Sequence, residues 1–415
     1  MSVEVPKGWR EGRLKDLCES VERRLGNGDK LEVLSVTKRG VVPQSQTYDK
    51  VIASEDVSRY RVIEPGEFGL APMALYYGAI GRYRGGAPGI ISPAYNVFRH
   101  TANADPDYLE TLIRMPRMIA RYDTLSQGGN LEGKRKLTPY DAFETVQIAI
   151  PPLAEQRAIA EVLSSMEVAI AKTETVINQL VDTRTEIARL AGSNPSKSSK
   201  QRLKNIASTI EAGVSVGGEL RSLKEREYGV LRTSSVSSGT FRPDQIKVIS
   251  ESDLDRVSVK PKADHIILSR ANTPDLVGAS AYVSSNYENV YLSDKLWQID
   301  VSDRNRICVR WLALVLNSPR VRQQMRLRAN GTSGSMQNIS KSALLSISVS
   351  IPTIEFQKQI GELAQKLEAR SASELNALGQ LKKTHVSLAQ ELLSGRIRLP
   401  ESLIARHRGE AGQAA

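Results

Sequence analysis

The sequence predicts an α+β protein with an internal pseudo-repeat: two globular regions of mainly antiparallel strands, separated by two long helices that pair as an antiparallel coiled coil. Three observations carry this expectation. A short motif and a strand–proline–helix junction each occur twice, in the same order. Two long stretches place apolar residues at alternating steps of three and four, the seam of a coiled coil. A Gly/Pro/Ser-rich connector separates the two halves.

The first globular region covers residues 1–150. It opens on Gly12-Arg-Leu-Lys-Asp-Leu17 and contains strand-like Leu31-Glu-Val-Leu-Ser-Val36. A helix is expected over Pro106-Asp-Tyr-Leu-Glu-Thr-Leu-Ile113. The region closes on Val146-Gln-Ile-Ala-Ile-Pro151, whose alternation has the period of a half-buried strand and whose proline ends it. No regular strand–helix alternation runs through the region, which argues for α+β over a parallel sheet.

A spacer helix follows over 151–192. Its seam passes through Ile159, Val162, Met166, Ile170, Ile177, Leu180 and Ile187, interrupted by polar Thr173 and Arg184. The linker, 193–200, leads to the second region, 201–352. That region repeats the opening motif as Gln201-Arg-Leu-Lys-Asn-Ile206 and the closing strand as Ile347-Ser-Val-Ser-Ile-Pro352. Between them lie strand-like His265-Ile-Ile-Leu268 and Val290-Tyr-Leu292, and a helical Val309-Arg-Trp-Leu-Ala-Leu-Val-Leu316.

The second spacer helix covers 353–395, with a seam through Phe356, Ile360, Leu363, Leu367, Leu375, Leu378, Leu381, Leu388 and Leu392. Gly379 inside it costs about 1 kcal/mol against Ala, and Gly395 is placed to cap its C-terminus. Residues 396–415 form a tail. At 1.5 Å per residue each helix extends roughly 55–60 Å. A seam that long requires a partner. The other helix is the expected one; packing of each helix on its own half, and a homodimer, are the alternatives.

Composition narrows the function classes. With 40% hydrophobic and 25% charged residues the chain has the balance of a globular protein. Lys and Arg outnumber Asp and Glu by 57 to 46, a formal charge of +11 that suits a polyanionic partner such as nucleic acid, although a basic protein without one has the same balance. The N-terminus has no apolar signal core and no apolar run approaches a membrane span, so a cytoplasmic location and no membrane partner are expected. Cys18 and Cys308 are too few for a disulfide framework or a Cys-rich zinc module.

Basic and amide side chains cluster at corresponding places in both halves. The first region offers Arg82, Tyr83 and Arg84 in a Gly-rich segment, then Gln127 and Asn130 followed by Lys134, Arg135 and Lys136. The second offers Arg270 and Asn272, then Arg322, Arg326 and Arg328, then Ser335, Gln337 and Asn338. Guanidiniums and amides are the groups that contact phosphates and read base edges. These residues are the candidate DNA-binding set.

A catalytic apparatus is not expected. His100, His265, His385 and His407 form no spaced pair for metal binding or nucleophile activation, and no phosphate-binding GxxxxGK[ST] loop is present. Ser92-Pro-Ala-Tyr95 resembles the (Ser/Asp/Asn)-Pro-Pro-Tyr motif of amino-methyltransferases, but Ala94 replaces the second proline and a glycine-rich cofactor loop is missing.

The duplicated plan resembles the specificity subunits of type I restriction–modification systems. The residues that carry the resemblance are Ile150-Pro-Pro-Leu-Ala-Glu-Gln-Arg157 and the degenerate Ile351-Pro-Thr-Ile-Glu-Phe-Gln-Lys358, each leading into a long helix. Asn330-Gly-Thr-Ser-Gly-Ser-Met-Gln-Asn-Ile-Ser340 and Leu392-Leu-Ser-Gly-Arg-Ile-Arg-Leu399 are similar to that family as well. The second copy departs at Phe356, where the first has Glu155.

The resemblance implies a non-catalytic DNA-recognition subunit. Two target-recognition domains would each read one block of a split sequence in double-stranded DNA, with the coiled coil as spacer. Two methylation subunits would dock on it, and restriction subunits in systems that have them. It implies no cofactor in this chain: S-adenosylmethionine would sit on the methylation subunit, and ATP and Mg on a restriction subunit. The alternatives are a coiled-coil adaptor with non-specific nucleic-acid binding, and a stand-alone DNA methyltransferase or nuclease.

Overall fold

The structure, a computed structural model, describes residues 4–28, 30–47, 54–128, 136–193, 198–333 and 336–408. Nine helices occur among the described residues: α1 (Pro106–Ile113), α2 (Pro116–Leu125), α3 (Tyr140–Glu144), α4 (Leu153–Ala191), α5 (Val309–Asn317), α6 (Pro319–Arg328), α7 (Lys341–Ser346), α8 (Ile354–Ser394) and α9 (Glu401–Arg406). Contacts divide the chain into two units. Unit 1 comprises 1–172 and 379–415; unit 2 comprises 173–378. Each unit therefore holds one globular region with a portion of both long helices.

Unit 1 has an antiparallel four-stranded sheet in the order Cys18–Val21, Asn96–His100, Phe68–Leu70, Ile80–Arg82. A second sheet runs Gly40–Pro43, Glu32–Thr37, Gly89–Ile91, Arg61–Ile63, with one parallel pair, Glu32–Thr37 beside Gly89–Ile91. Unit 2 repeats the order. Its four-stranded sheet is Ala207–Ala212, Leu296–Val301, His265–Ser269, Ser280–Val283, again antiparallel. Its second sheet is Ile246–Val248, Gly229–Leu231, Val290–Tyr291, with the parallel pair at the same place.

The repeated motifs account for the closure of each unit. Arg10–Arg13 pairs antiparallel with Gln147–Ile150, and Ser199–Arg202 with Ser348–Ile351, so the opening motif lies beside the strand that precedes each long helix. Leu14 N–H donates to Val146 O at 3.1 Å, and Leu203 N–H to Ile347 O at 2.9 Å. Pro151 and Pro352 then stop each strand, because a proline offers no N–H to the ladder.

Within unit 1 the first turns of α4 pack on the last turns of α8: Ile159, Ala160 and Leu163 share a core with Ala389, Leu392 and Leu393, flanked by half-buried Val162 and Leu388. Within unit 2 the end of α4, at Ile187 and Ala191, shares a core with Ala364 of α8, flanked by Ile360 and Leu367. The helices therefore pair antiparallel inside each unit. Met166, Ile170, Ile177, Leu180, Leu378 and Leu381 are half-buried seam positions.

Two expected seam positions need correction. Leu363 and Leu375 are 48% and 54% exposed and point away from the packed face. Ala364 is buried beside the first, while Glu374 beside the second is half-buried. Adjacent residues differ by 100° around a helix, and the bulkier leucine drew the pattern one step off the buried line.

Candidate nucleic-acid interface

In unit 2 the chain folds a small third sheet from residues far apart in sequence. Ala271–Asn272 pairs with Met336–Asn338, which pairs with Asn330–Ser333 to form a hairpin immediately after α6. The register sets Ala271 opposite Asn338 and Asn272 opposite Gln337. Arg270 precedes this strand, its guanidinium over the Trp297 ring at 5.7 Å and its backbone carbonyl accepting from Ile339 N–H. Arg270, Asn272, Gln337 and Asn338 are thus brought together, Asn338 exposed and the other three half-buried.

Helix α6 supplies the adjoining positive charge. Pro319 starts it at a position where a missing N–H costs nothing, and Val321 and Met325 bury its inner face. Arg322 is held inward: it donates to Val277 O and Asp275 O, both at 2.6 Å, and burial lowers its pKa to about 10. Arg326 makes a 3.3 Å contact with the Asp275 carboxylate while remaining 48% exposed. Arg328 is exposed and donates to Gln324 O of its own helix at 3.0 Å. The amide hairpin follows α6 directly in the chain, and amides and exposed arginines are groups suited to base-edge hydrogen bonding and phosphate contact.

Unit 1 places its candidates differently. Arg82 and Arg84 both contact Asp107 at the start of α1, at 3.0 and 3.2 Å, and Arg84 also reaches Glu110 at 2.6 Å. Tyr83 is buried, its hydroxyl donating to Ala87 O at 2.9 Å. Gln127 is exposed and bridges Leu137 through the backbone. Lys136 pairs with Asp123 and lies over the Tyr76 ring at 5.2 Å. Asn130, Lys134 and Arg135 of unit 1, and Ser335 of unit 2, lie outside the described residues.

Sequence reading missed the residues that anchor each long helix. Gln156 and Gln357 are buried, one at each helix start, and Glu155 is buried beside the first. Glu155 accepts two hydrogen bonds from Arg398, at 2.6 and 2.7 Å, and one from Trp9 Nε1 at 3.1 Å. The available signal was the doubled Pro-x-x-x-x-Gln spacing, which marks a polar residue one turn inside an apolar helix start.

The residues that could bear chemistry are scattered. Ser92-Pro-Ala-Tyr95 is a turn in which Tyr95 packs on the neighbouring core. His407 contacts Glu161 at 2.8 Å, and His385 lies 3.7 Å from Glu167. Among the described residues no group of three His, Cys, Asp or Glu side chains is placed to hold a metal ion, and no helix is long and apolar enough to cross a membrane.

No protein-family model matches the chain. It is 26% identical over 160 residues to the specificity subunit of the type I restriction enzyme EcoEI from Escherichia coli, covering 38% of this chain and 27% of that protein. It is 27% identical over 266 residues to the EcoKI specificity subunit from Escherichia coli K12, covering 60% of this chain and 55% of that one. The chain thus matches about a quarter and about half of the lengths of these relatives. Two solved structures share the fold. A chain of a type I restriction–modification complex gives a TM-score of 0.53 at 15% identity, over 95% of this chain and 100% of that one. The type I S subunit from M. genitalium gives 0.56 at 12%, over 94% and 99%. In sequence the chain is similar to specificity subunits of type I restriction enzymes, and in fold it is similar to chains of type I restriction–modification systems.

Proposed function

We propose that this chain is the non-catalytic DNA-recognition subunit of a type I restriction–modification complex. Each globular region reads one block of a split target, and the paired helices α4 and α8 set the gap between the blocks. The observation that carries the reading is the duplication itself: two units whose antiparallel four-stranded sheets share one strand order, each continuous with a long helix. In the second unit an arginine-bearing helix and an amide-rich hairpin supply a surface for DNA. Two modules built on one plan suit a target in two blocks, each entered at its own groove.

In this reading two methylation subunits dock on the chain and carry S-adenosylmethionine, and a restriction subunit, where the system has one, brings ATP and Mg. The chain supplies recognition, not chemistry. The candidate DNA-binding residues are Arg326, Arg328, Asn330, Gln337 and Asn338 in unit 2, with Gln127 and Lys136 at the corresponding return in unit 1.

The test is adenine-methylation mapping in cells that express the chain with its methylation subunit. A variant carries about four extra residues in the middle of α4, roughly 6 Å of helix. The reading predicts a split motif whose gap changes in the variant while both blocks persist. Altered blocks at an unchanged gap would contradict it.

A further inference from the structure

One matched place at which the two units differ is a groove beside the long helices. In unit 2 a groove beside α4 is lined by Arg184, Thr185, Ala188, Leu314 and Asn317, with the turn Ser237–Gly239 lying across it. Arg184 holds that turn by donating to Ser238 O at 2.6 Å and to Gly239 O. Gly239 has φ of +78°, and a Cβ there would collide with the Arg184 guanidinium, so this close seat requires glycine. The turn belongs to the long connection between Gly229–Leu231 and Ile246–Val248, and about 220 Å³ of cavity remains.

In unit 1 the same groove is open. His385, Val386 and Ala389 stand as far along α8 from Gln357 as Arg184, Thr185 and Ala188 stand along α4 from Gln156. The glutamates match too: Glu167 lies 3.7 Å from His385, and Glu368 lies 3.8 Å from Arg184. Yet the corresponding strands, Glu32–Thr37 and Gly40–Pro43, are joined by the two-residue turn Lys38–Arg39, which is too short to cross the groove. A cavity of about 600 Å³ is left, bordered by Thr111, Arg114, Glu167, His385 and Val386. Among the described residues His385 Nε2 is buried there with no hydrogen-bond partner, Glu167 Oε1 standing off at 3.7 Å, while Val386 is 50% exposed at the rim.

We infer that the groove of unit 1 receives a glycine-containing turn of a partner polypeptide, whose backbone carbonyls take the place on His385 that Ser238 and Gly239 take on Arg184. Unit 2 closes the groove with its own chain, and unit 1 takes the same element from the methylation subunit. Two features fit that occupant. The internal copy shows that this groove accepts a backbone turn, and the mixed charges of Arg114 and Glu167 suit a dipolar peptide better than an anion. The inference rests on the function proposed above, because it draws the turn from the methylation subunit.

The test uses the full chain with its methylation subunit. A photo-crosslinking amino acid replaces Val386, and hydrogen exchange is followed over 385–390 in the free chain and in the complex. The expected result is a crosslink to a glycine-containing turn of the methylation subunit, and exchange at least tenfold slower in the complex. Val386→Arg, which fills the groove from its exposed rim, is expected to weaken assembly at least tenfold. A complex that forms with neither crosslink nor protection overturns the inference and leaves the proposed function standing. Failure of any complex to form overturns both. Protection of the free chain by a small molecule, with none added by the subunit, also overturns it.

Discussion

Gln156 and Gln357 make the same three hydrogen bonds at the starts of the two long helices. Gln156 Oε1 accepts from Asp105 N–H at 3.0 Å, and its Nε2 donates to Asn103 O at 2.9 Å and Pro151 O at 3.0 Å. Gln357 Oε1 accepts from Cys308 N–H at 2.9 Å, and its Nε2 donates to Arg306 O at 3.0 Å and Pro352 O at 2.9 Å. Asp105 and Cys308 are the residues that open α1 and α5. One side chain therefore ties each long helix to the strand before it and to the first short helix of its own unit.

Removing either amide strands buried donors and acceptors, at ~1–3 kcal/mol for each group left unpaired. Gln156→Ala and Gln357→Ala should each cost about 2–4 kcal/mol, the first by loosening unit 1 and the second unit 2. Chemical denaturation followed by hydrogen exchange at α1 and α5 checks this. Equal loosening of both units by one variant would show that the anchors are not local.

The Glu155–Arg398 pair is the feature the second half lacks, since Phe356 stands where Glu155 stands. The Glu155 side chain is 3% exposed and Arg398 38%, so the pair is shielded on one side only. Breaking it leaves a buried carboxylate with Trp9 as its remaining described donor. Arg398→Ala should cost about 2–4 kcal/mol, and Arg398→Lys should recover only part of this because an ammonium cannot make the two-pronged contact. Thermal unfolding of the two variants checks the order.

Burial pushes the Cys18 thiol up from 9.0 to about 12, and its Sγ donates to Leu14 O at 3.1 Å. At pH 8 it should resist thiol reagents in the native protein and react on unfolding. Its contribution to stability is fully present below pH 9. It is lost as pH rises from 9 toward 12, because the unfolded thiol ionises first, at no more than about 1.4 kcal/mol per pH unit. A Cys18→Ala variant should show a weaker decline in that window.

On the unit 2 surface, Arg326→Ala and Arg328→Ala should weaken binding to all duplexes alike and lower the salt dependence by about one unit for each phosphate no longer neutralised. Asn338→Ala should relax one position of one block, by about 1–3 kcal/mol of discrimination, and leave the other block unchanged. Titrations at several salt concentrations separate the two effects. Loss of selectivity in both blocks from Asn338→Ala would place it outside base recognition.

Much of the architecture was legible in the sequence because it is written in local periodicity. The alternation before Pro151 and Pro352 and the three/four steps of α4 and α8 are properties of single segments, and repetition reinforced each. The site was less legible. That Arg82 and Arg84 lie on Asp107 and Glu110, or that Arg322 points inward to Val277 O, depends on the meeting of distant segments, which composition does not encode. The grouping of Arg270 and Asn272 with Gln337 and Asn338 has the same origin, a strand pairing between segments far apart in the chain.

The most direct measurement is selection from a randomised DNA duplex library by the chain co-expressed with its native methylation subunit. The account predicts enrichment of a split motif, two short blocks at one fixed gap. Enrichment of a single continuous motif, or of none, would contradict it.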